Sequence, residues 1–329
     1  MQDDMIPPHQ HIDASSVSDA VDVLDEYGQR ATVIAGNTDE MEWMKNRSKT
    51  PEVVVDLKDI DELSGVRETS SGALRIGALT TLTDVINDSS VQDHFPIIAE
   101  AAEAVATPQI RNQGTIGGNL TQDSRCWYYR EDFDCYRAGG GTCYATTGDA
   151  REHAITNYSR CITANPSDVA PALIALDASV VIEGPSGERT QSLENFFVGP
   201  DTNITKMTSL SRREVLKEIR VPSDWRDATA YYEKVRDRNA WDFALVNIAV
   251  TLDESGGSVS DSRIVCNGVA PVPRRMSSAE SSINGSSLSE SNIADAADAA
   301  LPNADPYETT EYKVPLTRNL IARGLEEAS

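Results

Sequence analysis

Four of the five cysteines in this chain fall close together, as Cys126, Cys135, Cys143 and Cys161, separated by eight, seven and seventeen residues, while Cys266 stands alone. Clustered thiols in a reducing compartment are more often metal ligands than disulfides. All-thiolate sites take zinc or an iron–sulfur cluster. None of the close Cys-x-x-Cys pairs of zinc ribbons occurs here, which leans toward iron and sulfur, yet on spacing alone both remain open. Trp127, Tyr128, Tyr129, Tyr136 and Tyr144, with Gly139-Gly140-Gly141, either shield such a centre from water or form the local core.

Two further stretches suit a phosphate-bearing cofactor. In Val33-Ile34-Ala35-Gly36-Asn37-Thr38-Asp39 a buried strand runs into residues that tolerate left-handed backbone, so successive N–H groups can face one concavity before the helix-like Met41-Glu42-Trp43-Met44. The plainer alternative is a strand-to-helix turn capped by Asn, Thr or Asp. In Arg111-Asn112-Gln113-Gly114-Thr115-Ile116-Gly117-Gly118-Asn119-Leu120, three glycines let a backbone approach a ring or a pyrophosphate, with Thr115 and Asn119 as hydrogen-bonding side chains. This run lacks the lysine of a P-loop and the spacing of the Rossmann fingerprint, and a glycine-rich turn is its plainer reading.

Elements to position these residues are legible in the hydrophobic pattern. Asp13 to Gly28 has helical spacing of Val17, Ala20, Val21, Leu24 and Tyr27, with Asp13 or Ser15 as cap and Gly28 as stop. Strands are expected at Ala31 to Ala35, Val53 to Leu57 and from Leu74 to Ile76, and helices at Leu82 to Ile86, Pro96 to Ala106 and Asp168 to Leu176. Val180 to Ile182 leads into a turn at Gly184-Pro185-Ser186-Gly187, which fits a hairpin. Beyond Glu214 the pattern changes: Val215 to Val221, Ala230 to Val235, Phe243 to Leu252 and Ser262 to Val269 read as strands or a strand–helix mixture. Ile293 to Ala300 and Leu316 to Glu327 read as helices. Composition alone would allow the Ser-rich stretch Met276 to Ser291 to be a flexible linker.

A chain of 329 residues exceeds what one core usually serves, so two or three units are expected. No apolar run approaches the ~20 residues of a membrane helix, and Met1-Gln2-Asp3-Asp4 does not open a signal peptide, which predicts a cytoplasmic protein without a membrane span. The net charge of −23 and the absence of a basic stripe exclude nucleic acid as partner. Only 7 of the 29 basic residues are lysine. Dense carboxylates with so little lysine fit adaptation to high salt, where their repulsion is screened; the plainer alternative is an ordinary acidic mesophilic protein. The expected result is a melting temperature that falls as ionic strength drops from about 1 M to about 0.1 M; a salt-independent value would sink this reading.

Together these segments resemble a known family. Val33 to Asp39, Arg111 to Leu120, and Pro166-Ser167-Asp168 followed by Ala170 to Ala178 are similar to the FAD-binding subunits of xanthine dehydrogenase, carbon monoxide dehydrogenase and related molybdopterin hydroxylases. Cys266-Asn267-Gly268-Val269-Ala270-Pro271 with Pro273-Arg274, and Tyr312-Lys313-Val314-Pro315-Leu316, resemble that family's C-terminal domain. Cys126-Trp127-Tyr128, Cys135-Tyr136-Arg137, Cys143-Tyr144-Ala145, and Cys161 with Asn165-Pro166-Ser167-Asp168, resemble the flavin subunits of periplasmic-type aldehyde oxidoreductases, which carry an extra [4Fe–4S] cluster, as do those of 4-hydroxybenzoyl-CoA reductase.

The resemblance implies a mixed α/β and α+β chain with a two-subdomain FAD-binding fold of the molybdopterin-hydroxylase flavoprotein type plus a C-terminal α+β domain. Its parts would be residues 1–60, residues 61–213 with a cluster insertion at 121–165, and residues 214–329. It also implies that the Ser-rich stretch leads into ordered helices. Val33, Ile34, Ala35, Gly36, Asn37, Thr38 and Asp39 would wrap the FAD pyrophosphate; many members have Gly at the place of Asn37, and Asn tolerates the same backbone. Thr115, Ile116, Gly117, Gly118 and Asn119 would lie beside pyrophosphate and flavin ring, and Asp168 would accept from a sugar hydroxyl. Lys234 would lie near the isoalloxazine; read without the family, it is a solvated strand residue. Cys126, Cys135, Cys143 and Cys161 would ligate the cluster, leaving Cys266 structural. Implied partners are a molybdopterin-binding large subunit and a [2Fe–2S] small subunit, with an external electron acceptor; nothing in this chain resembles a molybdopterin site. Rival readings are a stand-alone flavoenzyme with a structural zinc and a cofactor-free scaffold.

Overall fold

The computed structural model describes residues 6–328; the Met1–Asp4 stretch considered for targeting lies outside them. Three sheets carry the chain. The first is parallel, with β1 (Gln10–Asp13) and β2 (Ala31–Ile34) flanking β3 (Val53–Asp56). All four residues of β3 are buried, which is why it reads as a continuous apolar run, and β2 is an edge strand. The helix Val17–Tyr27 covers this sheet with Val17, Ala20, Val21 and Leu24. Its cap is Ser16, which accepts from the Asp19 amide; Ser15 instead bonds Asp19 from outside the helix. The helix stops at Gly28, whose φ of 54° suits glycine.

The second sheet is five-stranded and antiparallel, in the order β4 (Val66–Glu68), β5 (Leu74–Gly77), β8 (Val215–Val221), β6 (Ser179–Gly184), β7 (Gly187–Ser192). The expected hairpin turn joins β6 to β7. Helices Pro96–Glu103 and Ala170–Ala175 contribute Ile97, Ile98, Leu173 and Ile174 to its core. β8 pairs with β5 and β6, so the strand after Glu214 belongs to this sheet and the chain leaves it only beyond Val221.

The third sheet runs β9 (Thr229–Val235), β10 (Val246–Ser255), β11 (Ser258–Asn267), β12 (Arg274–Arg275), each antiparallel to its neighbour. Helices Ser277–Ile283, Glu290–Ala299 and Lys313–Glu327 form one core with it. The Ser-rich stretch is therefore ordered rather than a linker over its first half. Serine is a middling helix former, but Ala279, Glu280 and Ile283 form a buried face, and Glu280 receives Arg275 at 2.7 Å. No helix among the described residues is long and apolar enough to cross a membrane.

Lys313 joins the two C-terminal motifs: fully buried, it donates to the Gly268 carbonyl at 2.7 Å. Burial lowers its pKa from 10.5 to about 7, against the pull of Glu152. Between those two values the unfolded chain holds a proton that the folded one has shed, so this group's contribution makes stability rise with pH from about 7 to 10.5. Lys313→Met is expected to flatten that rise in denaturation measured across the same window; an unchanged slope would show that Lys313 is charged in the fold.

Candidate functional site: a cofactor cleft beside a four-cysteine cavity

The edge of β2 opens on a cleft of about 330 Å³. Along one side run Val33, Ile34, Ala35, Gly36, Asn37, Thr38 and Asp39; opposite stand Thr115, Gly117 and Gly118, with Thr205, Lys206, Met207 and Thr208 as a third wall. The two glycine-bearing motifs, far apart in sequence, meet at Gly36, where a Cβ would lie 1.8 Å from the Gln113 carbonyl oxygen. Asn37 adopts φ 60°, the left-handed angle that its type tolerates. No hydrogen bond within the described chain engages the amides of Gly36, Asn37 or Thr38, and Asn37 Oδ1 is buried without a partner. Buried polar groups are rarely left so. The loop thus fits a polar ligand such as a pyrophosphate-bearing cofactor.

Thr115 caps the helix Ile116–Thr121 by accepting from the Gly118 amide at 3.0 Å. Here the glycines divide in role. A Cβ on Gly117 would meet Ala78 O at 2.7 Å and Ala78 Cβ at 2.8 Å, so this glycine is required by packing. At Gly118 the only neighbour within 4 Å is Thr115 Oγ1, at 3.0 Å, on the cleft wall. Gly118→Val is therefore expected to yield a folded protein that has lost FAD, and Gly117→Val one that folds poorly; normal flavin stoichiometry in purified Gly118→Val would refute the placement.

Four expected site residues do not reach the cleft. Ile116 is wholly buried in the second core. Asn119 accepts from Ser167 Oγ at 2.7 Å and holds the segment before helix Ala170–Ala175. Asp168 and Lys234 pair with each other at 2.7 Å, 4% and 2% exposed. Lys234 also donates to the carbonyls of Ala104 and Asp242, at 3.1 and 2.8 Å, so it is neither solvated nor free. Burial pushes the Asp168 carboxyl up while Lys234 and Arg236 pull it down.

Cys126, Cys135, Cys143 and Cys161 line a second, smaller cavity together with Tyr128, Tyr136 and His153. None is in a disulfide. The backbone here has little regular structure beyond single turns at Trp127–Arg130, Tyr136–Ala138 and Tyr144–Thr146. Its buried apolar cluster is just Ala145, Ala150 and Ile162. Aromatic contacts close the outside: Tyr128 and Phe133 at 5.4 Å, Phe133 and Tyr144 at 5.0 Å, Trp127 and His153 at 5.0 Å. The segment thus has little apolar core of its own. Burial pushes the Cys126 thiol up to about 12. Cys266 sits in β11, in the core of the third sheet, away from the cavity.

Residues unremarked in the sequence join the two sites. Asp39, at the end of the phosphate-type loop, is bonded by Arg125 at 2.9 Å and Arg130 at 2.8 Å, which flank Cys126; both also reach Glu42. Burial opposes the Asp39 carboxylate, but the two guanidinium groups outweigh it and hold its pKa below the usual range. His153 Nε2 lies 3.1 Å from Cys126 Sγ. Arg130 also stacks over Trp43, its Cζ 4.1 Å from the ring centre; nothing local in the sequence signals any of these residues.

A three-sheet chain with a glycine-walled cleft of unpartnered amides defines a protein built to hold a polar ligand, and comparison with known proteins gives its class. Residues 7–224 match the model of the FAD binding domain in molybdopterin dehydrogenase, and residues 230–328 that of the CO dehydrogenase flavoprotein C-terminal domain. The chain belongs to the FAD-binding medium-subunit family of the carbon monoxide dehydrogenases, xanthine dehydrogenases and aldehyde oxidoreductases. It is 33% identical to the carbon monoxide dehydrogenase medium chain of Hydrogenophaga pseudoflava, over 98% of each chain. It is 32% identical to the aldehyde oxidoreductase FAD-binding subunit of Escherichia coli strain K12, over 91% of each. The solved carbon monoxide dehydrogenase from Hydrogenophaga pseudoflava superposes with a TM-score of 0.78 at 32% identity, covering 98% of both chains.

Proposed function

We propose that this chain binds FAD in the cleft and a [4Fe–4S] cluster on Cys126, Cys135, Cys143 and Cys161. It would serve a molybdenum hydroxylase of the aldehyde oxidoreductase or xanthine dehydrogenase type. The observation that carries the metal centre is that all four cysteines line one cavity, in a segment whose own buried apolar cluster is three residues. Four thiolates without a close Cys-x-x-Cys pair suit a cluster, in which each binds a separate iron.

In this reading the free amides of Gly36, Asn37 and Thr38 hold the phosphates, Val33 to Ala35, Asp39, Thr115 and Gly118 line the cleft around them, and Lys206 and Lys49 supply positive charge. The Asp168–Lys234 pair, expected at the flavin, lies outside the cleft, where Lys234 also ties down the Ala104 and Asp242 carbonyls. Asp39, clamped by Arg125 and Arg130, fixes the loop rather than meeting the cofactor's anionic groups. Bound FAD supplies the change between two-electron and one-electron chemistry. Electrons would come from a molybdopterin-binding large subunit by way of a [2Fe–2S] small subunit, and leave to an external acceptor. The cytoplasm, where thiols stay reduced until loaded, is the proposed site of assembly. Residues 1–60, the remainder through β8, and the third sheet with its helices are the proposed units.

Visible absorption with iron, zinc, molybdenum and flavin analysis of the native complex tests this reading. Flavin bands on a broad iron–sulfur shoulder, with iron and no zinc, are expected. Zinc in place of iron supports the stand-alone flavoenzyme, and a colourless protein the scaffold.

A further inference from the structure

The cleft and the cysteine cavity are separate spaces, and among the described residues Arg137 is the one that lines both. Its side chain is 2% exposed, and Nη2 pairs with Asp123, itself a cleft residue. Nη1 donates to the Ile204 carbonyl at 2.7 Å and reaches that of Lys206 at 3.5 Å, in the loop that supplies the third cleft wall. Cζ lies 5.1 Å from the Tyr129 ring centre. On the other side, Arg137 lines the same cavity as Cys126, Cys135, Cys143 and Cys161. One donor is left over: Nε is buried and has no partner.

A guanidinium does not shed its proton, so its buried charge needs compensation. Asp123 supplies one negative charge. Thiolates in the neighbouring cavity supply more, and a sulfur there could accept from Nε. An anionic centre and the 204–206 wall therefore compete for, or share, one rigid fork of donors.

We propose that Arg137 is the positioning residue that couples the two cofactor sites, its Nε side serving the thiolate-bound centre while its Nη side holds the 204–206 wall of the FAD cleft. This rests on the reading of FAD and a cluster given above. Loading the cysteines fixes the guanidinium, the fixed guanidinium fixes the wall, and FAD binds tighter. The coupling is reciprocal, so FAD strengthens retention of the metal centre by the same factor.

The test is the FAD dissociation constant of the full chain, from flavin fluorescence, in iron-loaded and iron-stripped protein, for wild type, R137K and R137Q. Stripping is expected to weaken FAD about tenfold in wild type and to change it little in R137Q. Anaerobic titration of the cluster's paramagnetic signal is expected to give a lower midpoint potential in R137Q and one close to wild type in R137K, which keeps the charge. A folded R137Q with the wild-type ratio of affinities and the wild-type potential overturns the inference. Should R137Q fail to fold, R137K decides: a lysine cannot serve both carbonyls and the sulfur, so its affinity ratio must fall, and an unchanged ratio overturns the inference. A wild-type chain without iron is a separate result, visible before any FAD titration, that removes the cluster reading and this inference with it.

Discussion

Replacing Cys126, Cys135, Cys143 or Cys161 singly by Ser is expected to take iron from about four per chain to a fraction of that, whereas Cys266→Ser keeps it. The four thiols surround one cavity, and the fifth lies fully buried in the strand core of another sheet. Cys266→Ser should cost some stability, since it puts a hydroxyl in an apolar core, but no metal. The loss should spread. The insertion's own apolar cluster is three residues, and Arg125 and Arg130 beside Cys126 clamp Asp39 at the end of the phosphate-type loop. FAD occupancy is therefore expected to fall in the four cluster variants as well. Iron and flavin content with the paramagnetic signal of the reduced protein provide the measurement; equal iron loss in Cys266→Ser, or zinc in the wild type, would overturn the ligand set.

The second large effect is expected at Lys234. Its ammonium is held by Asp168 and two carbonyls in a space where both charged side chains are almost wholly enclosed. Lys234→Met leaves the Asp168 carboxylate buried beside an apolar group, a change that typically destabilises by about 3–5 kcal/mol. Removing both charges should hurt less than removing one, so Lys234→Met with Asp168→Leu is expected to recover part of the loss. Denaturant unfolding of the two variants provides the check. A loss under about 1 kcal/mol for Lys234→Met would mean that the pair is solvated, and an additive double variant would mean that the two charges do not interact.

How far the sequence discloses this protein depends on the range of the interactions concerned. Val53 to Val55 is legible as a buried strand because burial on both faces leaves a run of valines, though not its central, parallel place in the sheet, and α-helical spacing marks Val17, Ala20, Val21 and Leu24. The glycine-bearing loops are legible because their conformations need Gly or Asn locally, as the φ of Asn37 shows. Resemblance carried the residues toward a cofactor that the pattern alone left open. Composition misleads at Ser277–Ile283, where three buried positions decide for helix against a serine-rich background. The boundary near Glu214 misleads for another reason: β8 looks like the start of something new, but its partners are strands far earlier in the chain. Arg130 with Asp39, Arg137 with Asp123 and Lys234 with Asp168 are likewise long-range pairs, and no local pattern joins them.

The topology of the first sheet bears on more than binding. Among the described residues β2 ends that sheet with no strand on its outer side, and its residues Ala31 to Ile34 are the same ones that floor the cleft. An uncovered strand edge is a template on which another chain can extend a sheet, and proteins guard such edges with charges, prolines or an overlying segment. Ala31-Thr32-Val33-Ile34 carries neither charge nor proline. A cofactor seated along it would do the guarding, so occupancy of the cleft would also govern whether two copies of the subunit can stick to one another through their sheets.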